Sequence, residues 1–250
     1  MELRQNVGIL IQARLSSTRL PGKIALPLLG KPLILWIVDQ MRRCKNAQIV
    51  GVLTSDSGDN DRFIEILKKM QIPHYIGSDS DVLSRYYRGA EHFKLRHVVR
   101  ITADNPFISS EIIDFLIAQH LVSNADFTYI KNVPIGIGLG MGVMSFSCLE
   151  RVNNRAKKSF DREHVVTYIL DNADDFTINV VTLENDLSVP EYRFTVDYEE
   201  DYILAIMIFS KLKQMNKLNT FTLRDVISLV KKDKTVYNLM LKCIKRSKRR

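Results

Sequence analysis

The sequence predicts a Rossmann-like α/β fold of three layers, a mostly parallel sheet between two layers of helices, and three observations carry that prediction. Short β-branched runs alternate with amphipathic segments through the first half of the chain, the pattern of βαβ units. A basic, hydroxyl-rich loop follows the first of those runs, at the end of a strand where a doubly wound sheet binds its ligands. The length of 250 residues suits one large domain, or a domain with a small appendage, able to bury a sizeable core.

Val7 to Gln12 has the length and β-branched content of a buried first strand. A helix is predicted near Pro32 to Cys44, with Pro32 at a first helical position and Leu33, Ile37, Val38 and Met41 as its apolar face. Ile49 to Thr54 reads as a strand, and polar Ser55 to Asp61 lead into a helix ending at Met70. Pro73 to Ile76 reads as a third strand, with Asp81 to Phe93 as its helix. Val98 to Thr102 is a fourth strand, followed by a helix over Ser110 to Leu121.

The second half is less regular. Phe127 to Ile130 reads as a strand, and Val143 opens another. Between them Pro134 to Gly142 carries Gly at every second position, which suits either a mobile loop over a site or a plain loop with bulges. Asp161 is a plausible N-cap for a helix from Arg162 to Leu170. Phe176 to Leu183 alternates as a strand, and Arg193 to Val196 reads as a further strand ending at Asp197. Helices near Tyr198 to Met215, Thr222 to Lys231 and Thr235 to Ile244 complete the chain.

Composition narrows the function classes. The chain is 46% hydrophobic and 26% charged, as in ordinary soluble proteins. Its net charge of +8 resides wholly in the stretch from Lys231 onward, where nine Lys and Arg residues face a single Asp; the body up to Val230 is formally neutral. Residues 1–230 therefore read as the functional domain and residues 231–250 as a basic helical tail, either a solvated terminus or a patch for RNA or an anionic membrane surface. The body lacks the aromatic and basic interleaving of a nucleic-acid platform, so no nucleic acid is expected. Cys44, Cys148 and Cys243 are far apart and fall in predicted helices, which argues against disulfides and zinc and for a cytoplasmic location. No apolar run is long enough to cross a membrane, and no secretory leader is recognisable.

The stretch Gln12-Ala13-Arg14-Leu15-Ser16-Ser17-Thr18-Arg19-Leu20-Pro21-Gly22-Lys23 holds most of the chemistry. Three cations (Arg14, Arg19, Lys23) and three hydroxyls sit beside a Pro-Gly turn that brings backbone N–H groups close to a bound oxygen. A P-loop would need Gly where Ser17 stands and Ser or Thr where Ile24 stands, and a dinucleotide fingerprint would need three glycines. A triphosphate cradle of another kind and an ordinary basic surface loop both remain. Asp104 and Asp197 also follow predicted strands. If those strands are parallel neighbours, two carboxylates face the cationic loop across one rim, as a metal-triphosphate requires. Alternatively Asp104 is a turn residue and Asp197 caps the next helix, with Glu200 completing a capping box.

Gln12-Ala13-Arg14 followed by Ser17-Thr18-Arg19-Leu20-Pro21-Gly22-Lys23 resembles the signature of the cytidylyltransferases that make CMP-activated acidic sugars, and the chain is most similar to their spore coat polysaccharide biosynthesis protein F branch. Gly77 to Tyr87, Arg100 to Pro106, Arg162 to Val165 and Thr195 to Asp197 match in the family's order, from about residue 7 to 210. The resemblance implies the nucleotidyltransferase form of the fold and a homodimer. It also implies Mg²⁺ on Asp104 and Asp197, with Gln12, Ala13, Arg14, Ser16, Ser17, Arg19, Gly22 and Lys23 around the nucleotide. Asp81 and Arg85, by spacing a possible surface pair four residues apart, are placed near the nucleotide by the same resemblance. Arg162 or His164 would contact the acceptor.

The implied reaction is transfer of CMP from CTP to an acidic, nonulosonic-acid-like sugar with release of pyrophosphate, for surface polysaccharide or glycan synthesis. Arg14, Lys23, Asp104 and Asp197 would be the catalytic groups, with Asp197 also available as a base toward a hydroxyl acceptor. The alternatives are a sugar or polyol phosphate as acceptor and a nucleotide-binding protein without catalysis. Two departures bear on the acceptor: Gly140-Met141-Gly142 replaces the family's acidic residues before the strand at Val143, and Thr167 replaces its Pro.

Overall fold

A computed structural model describes residues 6–134 and 141–248 of the protein. Most of the Gly-rich stretch, including Gly140, lies outside the described residues, and so does the expectation attached to it.

Strand β1 (Val7–Gln12) leads into the basic loop, which ends in one turn of 3-10 helix at Lys23–Ala25. A hairpin that the sequence did not reveal follows, β2 (Pro27–Leu28) and β3 (Lys31–Pro32), turning through Leu29 and Gly30, both at positive φ as a two-residue turn demands. Helix α1 (Leu33–Met41) starts one residue later than predicted. Pro32 pairs with Pro27 and keeps an extended ψ of 138°, so it precedes the helix as its N-cap. The helix also stops at Met41, which leaves Cys44 outside it.

The next elements match the sequence reading closely: β4 (Ile49–Ser55), α2 (Asp61–Lys69), β5 (His74–Gly77), α3 (Val82–His92), β6 (His97–Thr102) and α4 (Ser110–Ser123). Then come β7 (Phe127–Lys131), β8 (Gly142–Ser145) and three helices, α5 (Phe146–Arg155), α6 (Ser159–His164) and α7 (Thr167–Asp171). Strand β9 (Ile178–Thr182) precedes α8 (Glu199–Gln214), α9 (Leu223–Lys232) and α10 (Lys234–Ser247).

The seven-stranded sheet has the order β5-β4-β1-β6-β8-β7-β9, with every pairing parallel except the two made by β8. Both faces are covered, which a parallel sheet requires. Along β1, Val7, Ile9 and Ile11 enter one apolar cluster and Leu10 the other. The first cluster packs α1, α2, α4, α8, α9 and α10 against the sheet; the second packs α3, α5 and α7. The fold is thus the three-layer α/β/α sandwich with a mostly parallel sheet. The basic stretch from Lys231 is built into it: Val236, Met240 and Cys243 of α10 are at most 1% exposed and join the first cluster.

Two local expectations are corrected. Residues 193–197 form no strand of the seven-stranded sheet; Val196 N–H instead donates to the carbonyl of Asp104 at 2.7 Å. Asp161 lies inside α6 rather than capping a longer helix, because Val165 takes φ 62° and ends the helix. Its buried carboxylate accepts from Thr167 Oγ1 at 2.8 Å, so the hydroxyl that replaces the family's Pro has a structural partner.

Candidate active site

Parallel pairing of β1 with β6 sets Gln12 beside Thr102, so the basic loop and Asp104 emerge from the same edge of the sheet. Ala103 N–H donates to the carbonyl of Gln12 at 3.1 Å, extending the ladder one step beyond the strands. Asp197 reaches this rim by a different route. Its segment is tied to the Asp104 backbone, as described, so the two carboxylates come together without being on neighbouring strands.

The loop is held at both ends. Asn60, fully buried, accepts from Leu15 N–H at 3.0 Å and donates its own amide to Ser55 and Ser57 hydroxyls. Gly22 at φ 66° closes the far end by donating its N–H to the carbonyl of Leu15, a conformation that disfavours any side chain there. Lys23 then points inward. Its ammonium donates to the carbonyl of Val196 at 2.8 Å and to Asp197 Oδ1 at 2.9 Å, and lies 3.5 Å from Asp104 Oδ2.

Asp197 is the most heavily paired group of the site. Oδ1 meets Lys23 and, at 2.7 Å, Arg19; Oδ2 meets Arg193 at 2.7 Å. Burial alone would raise its pKa, but Lys23, then Arg19 and Arg193, outweigh that cost and hold the carboxyl below its ordinary value. Asp104 presents the opposite picture: its buried Oδ1 has no hydrogen-bond partner among the described residues. A buried, ionisable oxygen without a donor is costly in isolation and is the kind of group that a bound ligand completes.

Arg19, Lys23 and Asp104 line a cleft of about 300 Å³ together with Gln12, Ala13, Ser16, Ser17, Thr102, Arg100, Glu163 and His164, whereas Asp197 lies behind that lining, in contact with Lys23 and Arg19. Arg14 crosses it, donating to the carbonyl of Asp79 at 2.9 Å and to Glu163 at 3.0 Å. A larger hollow of about 480 Å³, with Phe115, Leu183 and Leu223 in its walls, gathers none of the predicted residues.

Asp81, Arg85 and Arg162 also lie outside the lining of the cleft, as do Asp197 and Gly22. Asp81 caps α3 by accepting from Ser84 N–H and pairs with Arg162 at 2.7 Å, not with Arg85. Arg85, 2% exposed, donates to the carbonyl of Ser78 at 3.0 Å, and its burial lowers its pKa. Both thereby shape the turn whose Asp79 carbonyl receives Arg14. Arg162 spends its remaining donors on Asn153 and the carbonyl of Ala156, which fixes α6 and leaves Glu163 and His164 as its members lining the cleft.

Sequence reasoning passed over Arg100, Asp79, Glu163, Arg193 and Asp201. Arg100 carried a signal, a cation inside an apolar strand; it is 6% exposed and donates to Gln12 Oε1 at 3.2 Å. Arg193, Asp197 and Asp201 recur at four-residue steps. The expected capping partner, Glu200, is replaced by Asp201, whose Oδ2 accepts from the backbone of both Asp197 and Tyr198.

Gly142 has a packing reason. It lies on β8 opposite Arg100 and Tyr129, and a Cβ there would fall 2.3 Å from the ring of fully buried Phe127. A larger side chain of any kind has no room at residue 142 unless Phe127 moves.

Comparison with known proteins identifies the family and the fold. The spore coat polysaccharide biosynthesis protein SpsF of Bacillus subtilis is 32% identical over 210 residues, 82% of this chain and 87% of that one. The structure of a cytidylyltransferase from Leptospira borgpetersenii superposes with a TM-score of 0.85 at 30% identity, covering 92% of this chain and 96% of that one. A CMP:2-keto-3-deoxy-manno-octonic acid synthetase complexed with CTP shares the fold, with a TM-score of 0.67 at 13% identity over 82% of this chain and 99% of that one. Residues 8–235 match a family model described as cytidylyltransferase, and the chain belongs to that family of CTP-dependent nucleotidyltransferases.

Proposed function

We propose that the protein transfers CMP from CTP to an acidic sugar of the nonulosonic-acid class, with Mg²⁺ and with release of pyrophosphate. The observation that carries the reading is the rim itself, where Arg14, Arg19 and Lys23 converge on a cleft that also holds the unpartnered Oδ1 of Asp104. Four cations (with Arg100) and His164 line the cleft against two carboxylates, Asp104 and Glu163, a balance that favours an anionic donor and an anionic acceptor.

The donor set fits a divalent cation. Asp104 supplies a buried carboxylate oxygen with no competing donor, and the Oδ1 of Asp197 is held only by cleft cations that a triphosphate would attract. Mg²⁺ on Asp104 and Asp197 would neutralise phosphate charge and orient the α-phosphoryl group. In the protein's own part of the reaction, Gln12, Ala13, Ser16, Ser17 and Gly22 shape the phosphate loop. Arg14, Arg19 and Lys23 take up the charge that develops on the leaving pyrophosphate. Asp81 and Arg85 act on the nucleotide through the turn at Asp79, and Arg162 presents His164 to the acceptor. An acceptor oxygen forms its bond to the α-phosphorus as the bond to the bridging oxygen breaks, and pyrophosphate leaves with that electron pair. Asp197, kept ionised by three cations, is a weak base, so a hydroxyl proton departs to solvent or to the pyrophosphate.

A CMP-linked acidic sugar is an activated donor for glycan assembly, and the reading places the enzyme in the cytoplasm as a homodimer, for which light scattering is the check. The test of the reaction is calorimetric titration with CTP, UTP, ATP and GTP, with and without Mg²⁺, followed by pyrophosphate release over a panel of acidic sugars and sugar phosphates. Selective Mg²⁺-dependent CTP binding is expected. Preference for another nucleotide would overturn the donor assignment, and release only with sugar phosphates would overturn the acceptor class.

A further inference from the structure

Asp197 belongs to no strand of the seven-stranded sheet, and an unsupported carboxylate there would be free to follow whichever cation approached it. The structure restrains it through two residues to which the proposed reaction gives no part. Arg193, 6% exposed, puts Nη2 on Asp197 Oδ2 at 2.7 Å and Nε on Asp201 Oδ1 at 3.2 Å, a fork that spans both carboxylates. Asp201, 3% exposed, accepts from the backbone N–H of Asp197 at 2.9 Å and of Tyr198 at 3.0 Å, fixing the peptide as Arg193 fixes the side chain.

Helix α10 closes this arrangement from behind. The buried Cys243 thiol faces Asp201, and burial together with that carboxylate pushes it up to about 12, so it stays protonated. On the same helix the Arg246 guanidinium lies 5.2 Å from the centre of the Tyr198 ring.

The consequence is a division of labour between two oxygens. Oδ2 belongs to the interior and stays with Arg193, while Oδ1 faces Lys23 and Arg19 in the cleft. We infer that Arg193 and Asp201 are positioning residues, which hold Asp197 so that its Oδ1 alone is offered to the cation and triphosphate of the bound nucleotide. A pairing that served only stability would have no reason to distinguish the two oxygens. The inference rests on the proposed Mg²⁺-dependent use of Asp197.

The test compares CTP binding by calorimetry with and without Mg²⁺ in the wild type, Arg193→Lys and Asp201→Asn, after thermal melting has established which variants fold. Lys keeps the charge but cannot reach both carboxylates, and Asn keeps an oxygen for the backbone donors but loses the ion pair. The expected result is Mg²⁺-free CTP affinity within about twofold of wild type and loss of about 10-fold or more of the Mg²⁺-dependent gain. Retention of that gain in a folded variant would overturn the inference, and so would an equal loss with and without Mg²⁺, which marks general damage to the site. Should Arg193→Lys not melt cooperatively, Asp201→Asn decides by the same criterion. A wild type with no Mg²⁺-dependent gain would overturn the functional reading beneath the inference, and the inference with it.

Discussion

Strand β6 leads at each end into a cluster of polar groups, and the two ends treat them in opposite ways. Beyond Thr102 lie charges: Asp104, Asp197, Asp201, Lys23 and Arg193, paired with one another in a space closed to most solvent. At the other end a neutral chain runs from His97 through His120 to Thr128, with contacts of 3.0 and 2.9 Å. Burial, then His97, lowers the pKa of His120 to about 4, so the imidazole enters the core uncharged. Burying ions is costly even when they are paired, and a satisfied neutral chain is the cheaper way to place polar atoms in a core. The expense falls at one end alone, the end where an oxygen of Asp104 has no partner among the described residues and where the proposed function places its ligand.

The largest expected effect comes from removing the unpartnered carboxylate. Asp104→Ala should lower turnover by about 10³-fold, measured as pyrophosphate release, while the melting temperature stays near that of wild type. Turnover within a few-fold of wild type would erase the contrast between the ends.

The second test uses acid. The folded pKa of His120 lies below its ordinary 6.5, so its contribution is fully present above pH 6.5 and fades as pH falls toward 4, because the unfolded chain binds a proton that the folded one refuses. Asp197 is depressed below 3.8, so its contribution persists through that window and is lost only at still lower pH. Urea unfolding should therefore show a loss of up to about 3 kcal/mol between pH 6.5 and 4 that originates at the histidine end. A flat profile over that range would remove the neutral-chain description.

The smallest effect is the most specific. His120→Leu leaves the Thr128 hydroxyl buried without its partner and should cost about 2 kcal/mol at neutral pH by denaturant unfolding. It should also flatten the acid window, with CTP binding unchanged. A variant that kept the acid window would move the titrating group elsewhere.

Legibility in the sequence followed the same division between local and distant causes. β1, β4 and β6 were readable because each is a β-branched run with its own period, and the basic loop was readable because its residues are contiguous. The setting of Asp197 was not readable. Phe194 and Val196 alternate with polar residues, a pattern that reads as a strand although the segment joins no strand of the seven-stranded sheet. Helix α5 was foreseen only as the helix holding Cys148, without bounds, because its neighbours carry no distinct start signal beyond Ser145, which caps it through Cys148 N–H. The split of α6 from α7 turns on Val165, a β-branched residue at φ 62° where neither Gly nor Pro announces a break. Arg162 with Asp81, and Arg14 with Glu163, are partners 81 and 149 residues apart, beyond the reach of any spacing rule.

The docking of α10 behind Asp201 also bears on how the protein is made. A chain emerging from the ribosome can form β1, its loop and β6 early, since these strands pair within the first part of the sequence. The peptide carrying Asp197 gains its backing only when Cys243 and Arg246 arrive. Synthesis thus separates the appearance of the phosphate loop from the completion of the carboxylate side, and a nascent chain would display a basic loop well before its acidic counterpart was secured.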